Sequence, residues 1–172
     1  MKLVTSALAL AAFTVPALVS AQAVTDAQIA AIVVTANQVD IDAGKLASTK
    51  GSSAQVKAFG KQMVTDHTGV NKQASALAAK LKVKPEDNPT SQALKSGGDK
   101  NVAHLKTLSG AAFDKAYVDN EVAYHQQVLD AIDKTLIPSA KNAELKGLIE
   151  KVRPAIDAHL QHAKMMQAKL GK

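Results

Sequence analysis

Apolar residues recur every three or four positions from residue 26 to residue 170, and three stretches interrupt them. A helix turns about 100° per residue, so this spacing lays apolar side chains along one face of each run. The interruptions are Gly51-Ser52-Ser53, the segment 83–98 with two prolines and a Gly pair, and Ile137-Pro138-Ser139. Each holds residues that stop one helix or begin the next. The pattern predicts an all-α chain with long helices over 26–50, 54–82, 109–136 and 142–170.

The first and third interruptions are short, so each must fold its two helices into an antiparallel hairpin. The middle one is followed by a short helix, expected over 99–108, and together they make a long connection. A connection of that length can run back along a bundle. The expected architecture is therefore a ferritin-like four-helix bundle of two antiparallel hairpins, joined by a long crossover containing a short helix. Pro154 lies inside the last stripe and is expected to kink or divide that helix. The chain is 47% hydrophobic, 3% aromatic and without Trp. That suits a single domain over 24–172 whose helices pack through small residues.

Residues 1–23 read as a signal peptide. Lys2 supplies the charged start, Leu3 to Val19 the apolar stretch, and Ala21-Gln22-Ala23 a cleavage site. The apolar stretch is short for a membrane span and is broken by Pro16. The expected product is periplasmic or secreted, with no transmembrane span after signal removal. The absence of cysteine excludes disulfides, a thiolate metal site and a lipid anchor. A net charge of +6, spread along the chain, reads as a basic surface suited to an acidic envelope surface. Nucleic acid is not expected, because no basic run is interleaved with aromatics.

Every predicted helix carries ionisable groups within or beside its apolar stripe. They are Asp40; His67, with Asp66 at the edge; Glu121, with His125 on the flank; and His159, with His162 at the edge. A carboxylate in an apolar stripe is costly unless something pairs with it. One reading is a buried polar network that fixes how the helices meet. The other is a site for a divalent transition metal, built from His67, Glu121, His125 and His159, with Asp40, Asp66 and His162 as further candidates. Polar core residues are more often structural, so the network is the first reading. At about 1.5 Å per residue, counting from Ser139 places Glu121 and His159 within about 3 Å in height, so they are expected to meet. Counting from Gly51 separates Asp40 and His67 by about 7.5 Å, so these two are not expected to share a site. The hydroxyls of Tyr117 and Tyr124 are expected to point toward the polar cluster. His104 is expected on the surface, and Met165 and Met166 are expected to divide into one surface and one core residue.

Catalytic motifs are missing. No Glu-x-x-His of a di-iron centre, no Gly-x-Ser-x-Gly elbow and no phosphate or dinucleotide loop occurs. The sequence leans away from an enzyme. It favours an exported binding or structural protein of the envelope, with a metal-binding bundle as the alternative.

Four pieces of the chain resemble the exported bacterial family of domain of unknown function 4142. They are Asn37-Gln38-Val39-Asp40, Phe59 through Met63-Val64-Thr65-Asp66-His67, Phe113-Asp114-Lys115-Ala116-Tyr117-Val118 leading to His125, and Pro154 through His159-Leu160. The family pattern favours Glu where this chain has Asp40, a carboxylate one methylene shorter. The resemblance implies an exported, ferritin-like helical bundle, often labelled a putative outer membrane protein, and implies no particular activity.

Overall fold

The computed structural model describes residues 24–170, so the expected signal peptide and its cleavage after Ala23 lie outside the described residues. All regular structure among the described residues is helical. The elements are α1 (Asp26–Lys50), α2 (Ala54–Lys80), α3 (Pro89–Thr107), α4 (Gly110–Ala131), a π-helical segment (Ile132–Leu136), a single turn α5 (Ile137–Ser139) and α6 (Ala143–Leu170). No described helix is long and apolar enough to cross a membrane.

Local chemistry sets these boundaries. Thr25 and Gln28 form a reciprocal capping box at the start of α1. The Gly51 N–H closes α1 on the Ala47 carbonyl, and two residues later the Ser53 hydroxyl caps α2 by accepting the Val56 N–H. Asp114 of α4 fastens this tight turn, because its carboxylate accepts bonds from the Ser52 and Ser53 N–H groups and the Ser52 hydroxyl, at 2.7–2.8 Å. Burial pushes the Asp114 carboxyl up, but these hydrogen bonds outweigh it and hold the pKa below the usual value. Asp26 plays a similar part at the other end, accepting the N–H groups of Lys141 and Asn142.

Three expectations about the elements need correction. The helix between the hairpins is not short. It begins at Pro89, capped by the Asn88 side chain, and runs for 19 residues. Gly97-Gly98 lies inside it rather than before it. A Cβ on Gly98 would stand 2.6 Å from Cγ2 of Val39, so the glycine is what lets α3 lie against α1. Of the kink or division expected in the last helix, division does not occur, since α6 passes through Pro154 unbroken. The carbonyl that loses its partner there belongs to Glu150, which is exposed together with Pro154, so water can satisfy it. Lastly, α4 does not run in regular α form to the turn, but passes into the π-helical segment before α5.

In packing, α1 lies against α2 and α3, while α4 lies against α6. Gly44 and Gly60 bring α1 and α2 so close that a Cβ on either would meet the other's carbonyl oxygen at 2.7–2.8 Å. One apolar cluster gathers Ala47, Phe59, Met63, Leu105, Phe113, Tyr117 and Met166 from α1, α2, α3, α4 and α6. A second gathers Ile29, Ile32, Leu129, Ile132, Ile149 and Leu160. Asn37 and Asp40 of α1, and Glu121 and His125 of α4, fall between the two clusters, while His159 of α6 lies beside Leu160 at the edge of the second.

Candidate metal centre

Asp40, His67, Glu121, His125 and His159 are all buried, and Glu121 is fully so. Four helices bring them together, with Asp40 from α1, His67 from α2, Glu121 and His125 from α4 and His159 from α6. One ring nitrogen from each of His67, His125 and His159 lies within 4.8 Å of the other two. Asp40, Glu121 and His125 form a second group at the same spacing.

The outer nitrogen of each imidazole is committed to an acceptor. His67 Nδ1–H donates to Asn37 Oδ1 at 2.7 Å. The amide orientation of Asn37 is fixed in turn, because its Nδ2 donates to the Val33 carbonyl at 2.8 Å. His125 Nδ1–H donates to the Glu121 backbone carbonyl at 3.0 Å. His159 Nε2–H donates to the Asp66 carboxylate at 3.0 Å. A neutral imidazole with one nitrogen protonated carries its lone pair on the other. The lone pairs therefore sit on His67 Nε2, His125 Nε2 and His159 Nδ1, and these three buried nitrogens have no hydrogen-bond partner.

The carboxylates sharpen the problem. Asp40 Oδ2 lies 3.1 Å from His67 Nε2 and 3.4 Å from His125 Nε2. Acceptor faces acceptor at these distances, which is unfavourable unless a cation stands between them. Asp40 Oδ1 and both Glu121 carboxyl oxygens are also buried without a hydrogen-bond partner. Protons are a poor solution for His67 and His159. Burial lowers the His67 pKa to about 4, against the pull of Asp40. Burial also lowers that of His159, against the pull of Asp66. Glu121 moves the other way, raised well above the usual carboxyl range by burial and then by Asp40.

Several expectations meet their geometry here. Asp40 and His67 do share a site, contrary to the height count. The count took the turn to be centred at Gly51, but the close approach of Gly44 to Gly60 centres it one residue later. Helical side chains also lean toward their own N-terminus. In this antiparallel pair that tilts Asp40 and His67 toward each other. Glu121 groups with Asp40 and His125, and His159 with His67 and His125, so His125 is common to both groups. Asp66 sits at the rim with a 42% exposed side chain. His162 stays outside the cluster, half-buried with its ring edge-on to Phe59. His104 is exposed, and Met165 and Met166 divide into an exposed and a buried residue. The Tyr117 hydroxyl is buried beside Glu121, whereas the Tyr124 hydroxyl turns away and donates to the Ala36 carbonyl at 2.8 Å.

Asn37 was not singled out from its position in the sequence. The available signal was an Asn on the buried face, one turn before Asp40 in a helix that otherwise buries aliphatic residues there.

No curated protein and no solved structure matches the chain. Residues 13–166 match the family described as domain of unknown function (DUF4142). That match covers most of the chain and includes every residue of the buried cluster, so the chain belongs to the DUF4142 family.

Proposed function

We propose that this protein is an exported, ferritin-like four-helix bundle that holds a divalent transition metal between its hairpins, with α3 as the elaborated crossover. The observation that carries the reading is the set of three pinned imidazoles. Metal-bound histidines almost always donate their other N–H to a carbonyl or carboxylate, which fixes the ring and raises its basicity. His67, His125 and His159 all have that arrangement, with Asn37, the Glu121 carbonyl and Asp66 as the acceptors. Asp40 supplies a fourth donor beside two of the lone pairs. Three imidazoles and a carboxylate form a nitrogen-rich set suited to zinc, iron, manganese or copper rather than to calcium or magnesium. Glu121 adds an oxygen donor at the edge of this set and would release its proton when the metal enters.

The test is elemental analysis of untagged protein purified from metal-replete cells, followed by melting with added divalent ions. About one equivalent of a transition metal, and a rise in melting temperature with that metal, is the expected outcome. Protein that carries none and melts alike with manganese, iron, cobalt, nickel, copper and zinc overturns the reading. Export is proposed from the charged, apolar and small-residue pattern of residues 1–23. It is tested by sequencing the N-terminus of protein from the periplasm or medium. Val24 is the expected first residue, and a retained Met1 would refute it.

A further inference from the structure

The donors of the centre are shut off from solvent. His67 Nε2, His125 Nε2, His159 Nδ1, Asp40 Oδ1 and both Glu121 carboxyl oxygens expose almost no surface, so an ion reaches them only if something moves. Most directions are closed. Gly44 and Gly60 hold α1 tight against α2, and α4 packs along α6. Along α1 and α4 the two apolar clusters lie on either side of the centre. Two faces remain where the hairpins meet, because α1 touches α4, and α2 touches α6, only lightly.

The first face holds a cavity of about 600 Å³ whose walls include Val33, Leu94, Val128, Ile132 and Ile156. Apart from groups of the centre itself, no charged side chain lines it. A divalent ion entering there would give up water against aliphatic walls, which is costly. The second face holds Asp66 of α2. Its side chain is half-exposed, and among the described residues no lysine or arginine pairs with it. Its Oδ2 accepts the His159 Nε2–H at 3.0 Å, while Nδ1 of the same ring is one of the buried lone pairs. The ring centre lies 5.3 Å from that of His67 and 5.5 Å from that of His125. His159 thus stands between an exposed carboxylate and the buried ligand set.

We propose that Asp66 is the entry site for the metal: a hydrated divalent transition-metal ion binds first to its carboxylate and passes to the centre when the His159 ring turns aside. This rests on the metal reading above and adds the route. The carboxylate gives the ion a ligand in exchange for lost water. It does so on a chain whose net charge of +6 otherwise repels cations. Turning one side chain clears the way without parting the hairpins.

Stopped-flow loading of the metal-free protein with cobalt, followed by the visible spectrum, tests this. Asp66→Asn keeps a carbonyl oxygen to accept the His159 bond but removes the charge. It is expected to slow loading about tenfold or more at low salt, and to flatten the salt dependence. Release to EDTA is expected to slow as well, because the ion leaves by the same way, so affinity falls less than the loading rate. Asp42→Asn removes the same charge from an exposed position on α1, and Val128→Phe narrows the cavity. Both are expected to load at the parent's rate. An Asp66→Asn variant that loads like the parent overturns the proposal. So does one whose lost affinity lies in faster release alone, since such a residue only orients His159. Equal slowing in Asp42→Asn overturns it, as does slow loading in Val128→Phe, which would make the cavity the entrance. Cobalt that fails to bind the parent at all overturns the metal reading itself, so the two failures are told apart.

Discussion

His67 Nδ1 lies 2.7 Å from Asn37 Oδ1, and this one bond decides which nitrogen His67 turns toward Asp40. Asn37 is itself held by the Val33 carbonyl, so the imidazole cannot take the other tautomer without losing a buried bond. Asn37→Leu is expected to cost about 1–3 kcal/mol of stability through the lost buried bond, and to weaken metal binding about 10–100-fold. Asn37→Asp keeps an acceptor at the same place and is expected to retain most of the affinity. Cobalt titrations of the two variants, followed by the visible spectrum, check the contrast. Equal affinity in both would show that the orientation of His67 is irrelevant to the metal.

Much of this centre was legible because helical periodicity reports which face a residue occupies. Asp40, His67, Glu121 and His159 could be placed inside by their stripes, and Asp66 and His162 at the edges. Relative height along the helices was harder to obtain. It depends on where a turn is centred and on which way side chains lean, and two close-packed glycines set the first for Asp40 and His67. The identity of the pinning acceptors was also hidden, since one of them is a backbone carbonyl of α4, which has no sequence signature. The Gly pair reads in the sequence as punctuation and so hides the length of α3, because one of the two glycines serves close packing instead.

Those two adjacent glycines make a test of that explanation. A Cβ on Gly98 would meet Val39 at 2.6 Å, whereas one on Gly97 would meet nothing within 4 Å. Gly98→Ala is expected to destabilise by about 1–3 kcal/mol through overpacking. Gly97→Ala is expected to stabilise by up to about 1 kcal/mol through helix propensity. Combining Gly98→Ala with Val39→Ala should recover part of the loss. Urea unfolding of the four proteins measures this, and a destabilised Gly97→Ala variant would contradict the packing described for α3.

The metal-free protein has opposed titrations in its core. His67 is held near 4, below the ordinary imidazole value of 6.5. Its contribution is present above pH 6.5 and is lost as the pH falls toward 4, because the unfolded chain takes the proton first. Glu121 is raised above its ordinary 4.5. Its contribution is present below that pH and is lost as the pH rises toward its folded value, because the unfolded chain ionises first. Glu121→Gln removes the second effect. The variant is expected to be more stable than the parent at pH 7–8 when metal-free, and to lose that advantage below about pH 4.5. Urea melts from pH 4 to pH 8 in EDTA check this, and a parent that is the more stable at pH 8 would show Glu121 to be ionised and well paired.

His159→Ala separates a metal centre from a purely structural cluster. In the metal-free fold His159 hydrogen-bonds Asp66, whose side chain is 42% exposed, so removing the ring leaves that carboxylate to water rather than stranding it. The variant should therefore still fold, losing about 1–3 kcal/mol from the bond and the space left behind. A metal that binds only the folded protein stabilises it by about 2.7 kcal/mol at a hundred times its dissociation constant. That should raise the parent's melting temperature by several degrees. Most of this rise is expected to vanish in His159→Ala, because one of three imidazole ligands is gone. His162→Ala serves as the control. It lies one turn away on the same helix, packs on Phe59 rather than on the cluster, and should keep the full response to metal. If His159→Ala and the parent gain equally from metal, the ion binds elsewhere. The three inward-facing nitrogens would then be a polar core and not a ligand set.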